Sequence, residues 1–82
     1  MGNQSTGYGK TLNESVESLL QHFKYSNNIS GYAENINGTY YIYLPYHQPG
    51  ECMRYKIFHK LQNDVYKTWI TFGDVSIINC SI

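Results

Sequence analysis

The chain has 82 residues and no net formal charge, and only 15% of its residues are charged while 16% are aromatic. A chain of this length forms one domain with a modest core, and the lack of a basic excess argues against a protein that follows nucleic-acid phosphates. Charged residues make up about 25% of an average protein, so Asn, Ser, Thr, Gln and Tyr must build much of this surface.

The first predicted element is a helix that begins after residue 11. Residues 1–10 show no apolar periodicity, so we expect a flexible N-terminal tail followed by one domain over residues 11–82. Thr11 and Glu14 match a capping box, in which the hydroxyl accepts a bond from the Glu14 amide and the carboxylate returns one. An apolar stripe at helical spacing follows, and it consists of Leu12, Val16, Leu19, Leu20 and Phe23.

A β-hairpin is predicted next, with its turn at Asn37-Gly38. Both central residues of a type I′ turn need positive φ, and Asn-Gly supplies this best. A two-residue loop pairs Tyr32 with Tyr43, and it places Ala33 and Ile42 on the face that the helix covers. The small residues Gly31 and Ala33 would let the helix come close to the sheet.

Three further strands are predicted over residues 52–61, 65–72 and 75–82. A two-residue turn at Asn63-Asp64 would oppose Lys60 to Lys67, which is unfavourable, so the register of that hairpin stays open. Gly73-Asp74 separates the last two strands or forms a bulge within one longer strand. The predicted fold is α+β, with one N-terminal helix packed on a four- or five-stranded antiparallel sheet in simple meander order.

One helix can cover only one face of such a sheet, so the alternation leaves a second face rich in aromatic and basic side chains. Tyr, Trp and Arg are enriched in binding hot spots, so we expect this face to bind a protein partner. Cross-strand pairing alone and a homodimer face are the alternatives. The residues assigned to the binding site are Tyr32, Tyr41, Tyr43, Lys56, Phe58, Lys60 and Trp69.

No motif for catalysis or metal binding is found in the sequence. His22, His47 and His59 are dispersed, and a zinc site needs three or four ligands. Paired carboxylates and a glycine-rich phosphate loop are missing, so we expect no enzymatic activity, no metal and no cofactor. The sequence has no apolar run of about 18 residues, so no membrane span is expected.

The two cysteines and the glycosylation sequons point to different compartments. Meander order places Cys52 and Cys80 at opposite ends of the sheet, which predicts free thiols and a cytoplasmic protein. Five of the eight asparagines, however, lie in N-x-[ST] sequons where chance gives about one, which favours an extracellular glycosylated domain with a Cys52–Cys80 disulfide. The five are Asn3, Asn13, Asn28, Asn37 and Asn79.

The function expected from these observations is non-enzymatic protein binding. The small size and the lack of chemistry would suit a phage- or virus-encoded inhibitor of a host defence protein, such as an anti-CRISPR, which is an analogy of type. The alternatives are the extracellular domain above and a single-stranded nucleic-acid binder that stacks bases on the aromatic face.

Overall fold

The computed structural model describes residues 5–80 of the chain. Within these residues the chain forms one helix and seven strands, all paired antiparallel. The elements are β1 (Thr6–Gly9), α1 (Leu12–Asn27), β2 (Tyr32–Ile36), β3 (Thr39–Pro45), β4 (Glu51–Lys56), β5 (Phe58–Gln62), β6 (Val65–Trp69) and β7 (Val75–Asn79).

The α+β class is confirmed, but the single sheet is wrong, because the strands form two sheets. One sheet has the order β1-β6-β5 and the other β2-β3-β4-β7. The strand predicted over residues 52–61 divides at Ile57 into β4 and β5, which belong to different sheets. The Ile57 amide donates to the Tyr40 carbonyl at 2.9 Å, and Ile57 is buried between the more exposed Lys56 and Phe58, so the inside–outside alternation continues from β4 into β5.

The β2–β3 and β5–β6 hairpins each have a two-residue turn whose residues adopt positive φ. Asn37 and Gly38 have φ of 53° and 90°, and the predicted pairing of Tyr32 with Tyr43 is confirmed. The second turn uses Asn63 and Asp64, at φ of 54° and 63°. The register that the sequence left open is therefore the unfavourable one, in which Lys60 faces Lys67.

Helix α1 begins as predicted and ends in a left-handed cap. Thr11 is the N-cap and accepts a bond from the Glu14 amide at 3.1 Å. The Glu14 carboxylate, however, accepts from the Lys10 amide and not from that of Thr11. At the other end Asn28 has φ of 57°, and its amide donates to the Phe23 carbonyl.

The helix stripe and the inner sides of both sheets form the core. The predicted apolar stripe of the helix is confirmed as its core side, although Leu12 and Leu20 are only partly buried. The buried cluster consists of Val16, Leu19, Phe23, Ile42, Leu44, Tyr55, Ile57 and Ile70.

Residues 1–10 are expected from the sequence to form a flexible tail, but Thr6–Gly9 form strand β1, which pairs with β6. Residues 1–4 lie outside the described part of the chain. A Cβ on Gly7 would lie 2.1 Å from the Ser15 carbonyl oxygen, and a Cβ on Gly9 2.6 Å from the Ser15 nitrogen. These glycines, not Gly31, allow the close approach of the helix, since a Cβ on Gly31 would meet β3.

Hydrogen bonds from two hydroxyl groups hold the helix against the three-stranded sheet. The fully buried Ser15 hydroxyl donates to the Gly7 carbonyl at 2.9 Å, and the Thr68 hydroxyl donates to the Ser15 carbonyl at 2.9 Å. Each hydroxyl has one proton, so these two bonds already use both donors, and the two oxygens lie 3.0 Å apart. This pattern ties β1 and β6 to α1.

The meander order and the free thiols are both wrong, because Cys52 and Cys80 form a disulfide with Cα atoms 5.8 Å apart. Strand β7 does not pair with β6 but lies beside β4, with Ile78 opposite Cys52. The segment between β6 and β7 contains a turn in which the Asp74 amide donates to the Thr71 carbonyl, so Gly73-Asp74 separates two strands that belong to different sheets.

Candidate partner-binding face

The sides of the two sheets that face away from the helix form one surface, which we call the outer face. Side-chain alternation places ten aromatic or basic residues on it. Strands β2 to β6 and β1 all contribute, because β4 and β5 are consecutive. The outer face consists of Tyr8, Tyr32, Tyr41, Tyr43, Arg54, Lys56, Phe58, Lys60, Lys67 and Trp69.

At one end, Tyr32 and Tyr43 stack with ring centroids 4.7 Å apart. The Tyr43 hydroxyl donates to the Glu34 carboxylate at 2.6 Å, and only 4% of the residue is exposed. The bond to Glu34, and secondarily burial, raises the pKa of Tyr43 above its usual value. Tyr43 is therefore part of the support for this surface, and Tyr32, which is exposed, is the ring that a partner could contact.

In the middle of the outer face, cations lie over aromatic rings. The Arg54 guanidinium lies 4.8 Å from the centre of the Tyr41 ring, and the Lys56 ammonium 5.5 Å from that of Phe58. Such contacts are worth roughly 0.5–1 kcal/mol at exposed sites. They fix the side-chain positions, and the Lys56–Phe58 pair connects the four-stranded sheet to the three-stranded sheet.

At the other end, Trp69 stacks on Phe58 with centroids 6.2 Å apart. The Lys67 ammonium lies 5.8 Å from the Trp69 ring, and Tyr8 lies opposite Lys67 on β1. Lys60 is exposed and faces Lys67 directly. Two like charges in register repel each other, so this end of the surface favours an anionic group between them.

The charge on the outer face is uneven in a chain whose net charge is zero. Four of the six Lys and Arg residues lie on it, and its one acidic residue, Glu34, already accepts the Tyr43 hydroxyl bond. Asp74 lines a shallow depression with Arg54 and Lys56 at the margin of the face. The outer face is therefore basic and aromatic.

The structure brings together all seven residues assigned from the sequence, but it gives them unequal accessibility. Lys56 and Lys60 are exposed, Tyr41, Phe58 and Trp69 are half-buried, and Tyr43 is buried. Sequence reasoning missed Tyr8, because a four-residue strand with two glycines gives too short an alternation to recognise. The site assignment also left out Arg54 and Lys67, although strand alternation places both on this face.

Within the described residues 5–80, no group of three or more His, Cys, Asp and Glu side chains could hold a metal ion. No helix among these residues is long and apolar enough to cross a membrane.

Comparison with known proteins gives no family, because no family model, curated protein or solved structure matches this chain.

Proposed function

We propose that this chain is a non-enzymatic protein-binding module whose docking surface is the outer face and whose partner presents an acidic surface. The observation that carries the proposal is the collection of Arg54, Lys56, Lys60 and Lys67 among aromatic rings in a chain of zero net charge. Complementary charge steers a partner to such a face, and the rings supply contact area.

Binding of this kind acts by covering the partner's own site. A phage- or virus-encoded inhibitor of a host defence protein works in this way, and we propose this as the role of the module. The proposal rests on small size and the outer face, and it needs no chemistry on this chain.

Binding of single-stranded nucleic acid is less well supported by the geometry. Bases need free ring faces on which to stack. Here Tyr32 and Tyr43 stack on each other, and Phe58 and Trp69 do the same. Lysines lie over the rings of this second pair, so the basic and aromatic groups already contact one another.

The test is a pair of double charge reversals that change net charge equally, one within the outer face as defined above and one at residues that do not belong to it. Lys56→Glu with Lys60→Glu alters the outer face, and Lys10→Glu with Lys24→Glu alters exposed positions on and beside the helix. We expect the first variant to lose at least tenfold in affinity for a purified partner, and the control to lose less than twofold.

The comparison of the two variants requires a purified partner and a measured affinity. The partner is first identified by affinity capture with the wild-type chain and then purified, and affinity is measured by calorimetry at two salt concentrations. Equal losses in both variants would contradict the outer face as the docking surface. Tighter retention of the wild type on a single-stranded oligonucleotide than on any protein would favour nucleic acid instead.

The extracellular glycosylated domain is a second candidate, and the disulfide favours it. The cytoplasmic expectation rested on free thiols, and Cys52–Cys80 removes that premise. The four sequon asparagines among the described residues are all exposed, and none belongs to the outer face, so glycans would leave that face accessible. They are Asn13, Asn28, Asn37 and Asn79.

Intact mass of the protein from its natural source, with and without reductant and glycosidase, separates the two compartments. A bridged, glycosylated chain would support the extracellular domain. Two free thiols at the unmodified mass would support the cytoplasmic inhibitor.

A further inference from the structure

Strand β7 is an edge of the four-stranded sheet, and its side chains give it none of the usual protection against pairing. Its sequence from Val75 to Asn79 has no charge, no proline and no glycine. Protein edges are normally protected by such residues, by bulges or by a covering element. Of the other edge strands, β2 carries Glu34, β5 carries Lys60 and β1 contains two glycines, so β7 differs from all three.

The register of β7 determines which backbone groups point outward. The Cys80 amide donates to the Gly50 carbonyl at 3.0 Å, so this pair is hydrogen-bonded. In an antiparallel ladder hydrogen-bonded and non-bonded pairs alternate, so residues 76 and 78 bond to β4. The N–H and C=O groups of Val75, Ile77 and Asn79 therefore point away from the sheet.

The side chains of these residues are uncovered as well. The strands that α1 contacts most are β1, β6 and β2, and β7 is not among them. Ile77 is 45% exposed, and Val75 and Phe72 are also exposed apolar residues on this side. Burial of such a strip in another molecule contributes about 25 cal/mol for each Å² of apolar surface removed from water.

The edge strand is fixed at both ends. The Cys52–Cys80 disulfide fixes its end to β4. Its start follows a turn in which the Asp74 amide donates to the Thr71 carbonyl and the Thr71 hydroxyl to the Asp74 carboxylate. A strand fixed in this way loses little conformational entropy when it pairs.

We propose that β7 pairs with β7 of a second copy of this chain, about a two-fold axis at Ile77. Antiparallel pairing through the outward groups joins Ile77 to its own copy and Val75 to Asn79 of the other chain. An isologous contact of this kind is self-complementary, and it gives a continuous eight-stranded sheet. The chain has zero net charge and β7 has none, so the copies do not repel each other.

The test compares two exposed isoleucines on the two edges of the same sheet. Ile77 is 45% exposed on β7 and Ile36 is 40% exposed on β2, so Ile77→Lys and Ile36→Lys are matched changes. Ile77→Lys places two ammonium groups together at the axis and should weaken the dimer about 100-fold. Ile36→Lys should leave the dimer unchanged, as measured by sedimentation equilibrium of the full chain.

A second variant removes only the outward hydrogen bond. Ile77→Pro deletes an N–H that β4 does not use, which an edge strand tolerates. We expect a folded monomer, with the fold checked by circular dichroism. A wild-type monomer at about 1 mM, a dimer that survives both Ile77 variants or a dimer lost only in Ile36→Lys would overturn the proposal. Pairing of β7 with a strand of a different protein would overturn it too.

Discussion

Helix α1 is held in different ways on its two sides. Against β1 and β6 the contact is polar and backbone to backbone, through Gly7, Ser15 and Thr68. Against the four-stranded sheet, apolar side chains such as Ile42 and Leu44 fill the space. The apolar side can adjust to a small change of shape, whereas the polar side has no room for one further carbon atom.

The largest expected loss of stability comes from adding a methyl group at the contact between β1 and α1. Gly7→Ala places a methyl group 2.1 Å from the Ser15 carbonyl oxygen and 2.5 Å from the Leu19 nitrogen, both of which are backbone atoms. The helix must move, and we expect the free energy of unfolding to fall by about 4 kcal/mol. Urea unfolding measures this loss.

Gly73→Ala is the matched control for this prediction. No heavy atom lies within 4 Å of a Cβ at Gly73, so the change should alter stability by less than about 0.5 kcal/mol. If the two alanine variants were equally stable, α1 could not pack on β1 as closely as the structure shows.

Smaller losses of stability are expected from two substitutions that compare a buried hydrogen bond with apolar packing. Thr68→Val keeps the size of a fully buried side chain but removes its bond to Ser15, and should cost about 2 kcal/mol. Ile42→Val removes a whole methyl group from the apolar side, and should cost only about 1 kcal/mol. The reverse order in urea unfolding would show that both sides of the helix are held by apolar packing.

The smallest expected effect is on alkaline stability, and it involves two tyrosines of the four-stranded sheet. The pKa of Tyr43 is raised mainly by its bond to Glu34, and that of Tyr55 is raised by burial, both from 10.0. Above pH 10 the folded protein therefore holds more protons than the unfolded chain, so the free energy of unfolding falls as pH rises through the folded-state pKa values.

Urea unfolding of the wild type and of Tyr43→Phe between pH 8 and about 11 measures this slope, since unperturbed tyrosines titrate near 10. The variant should show a shallower decline. An identical slope in both proteins would mean that Tyr43 titrates as an ordinary tyrosine.

Local features of the fold could be predicted from the sequence, whereas the pairing of distant strands could not. The cap at Thr11 and the turn at Asn37-Gly38 depend on neighbouring residues, and both are confirmed. The turn at Asn63-Asp64 also has local causes, and it determines a register in which Lys60 faces Lys67. The turn geometry therefore overrides a repulsion that is small between exposed side chains.

The errors arise where the partner of a strand is far along the chain. Nothing near Thr6–Gly9 indicates that β6 will lie beside it, and nothing near Cys80 indicates that β7 will lie beside β4. Alternation placed the candidate site residues on one side of the chain correctly. The burial of Tyr43 depends on Tyr32 and Glu34, and the alternation pattern does not report such contacts.

The hydrogen bond from the Thr68 hydroxyl to the Ser15 carbonyl joins residues 53 positions apart, and this has a consequence for synthesis. A ribosome adds about 5–20 residues each second, so β1 and α1 emerge several seconds before β6. Contacts between distant residues form slowly in folding, and the surface of β1 and α1 that packs against β6 stays open during that interval. The newly made helix is thus the part of the chain for which protection by a chaperone would matter most.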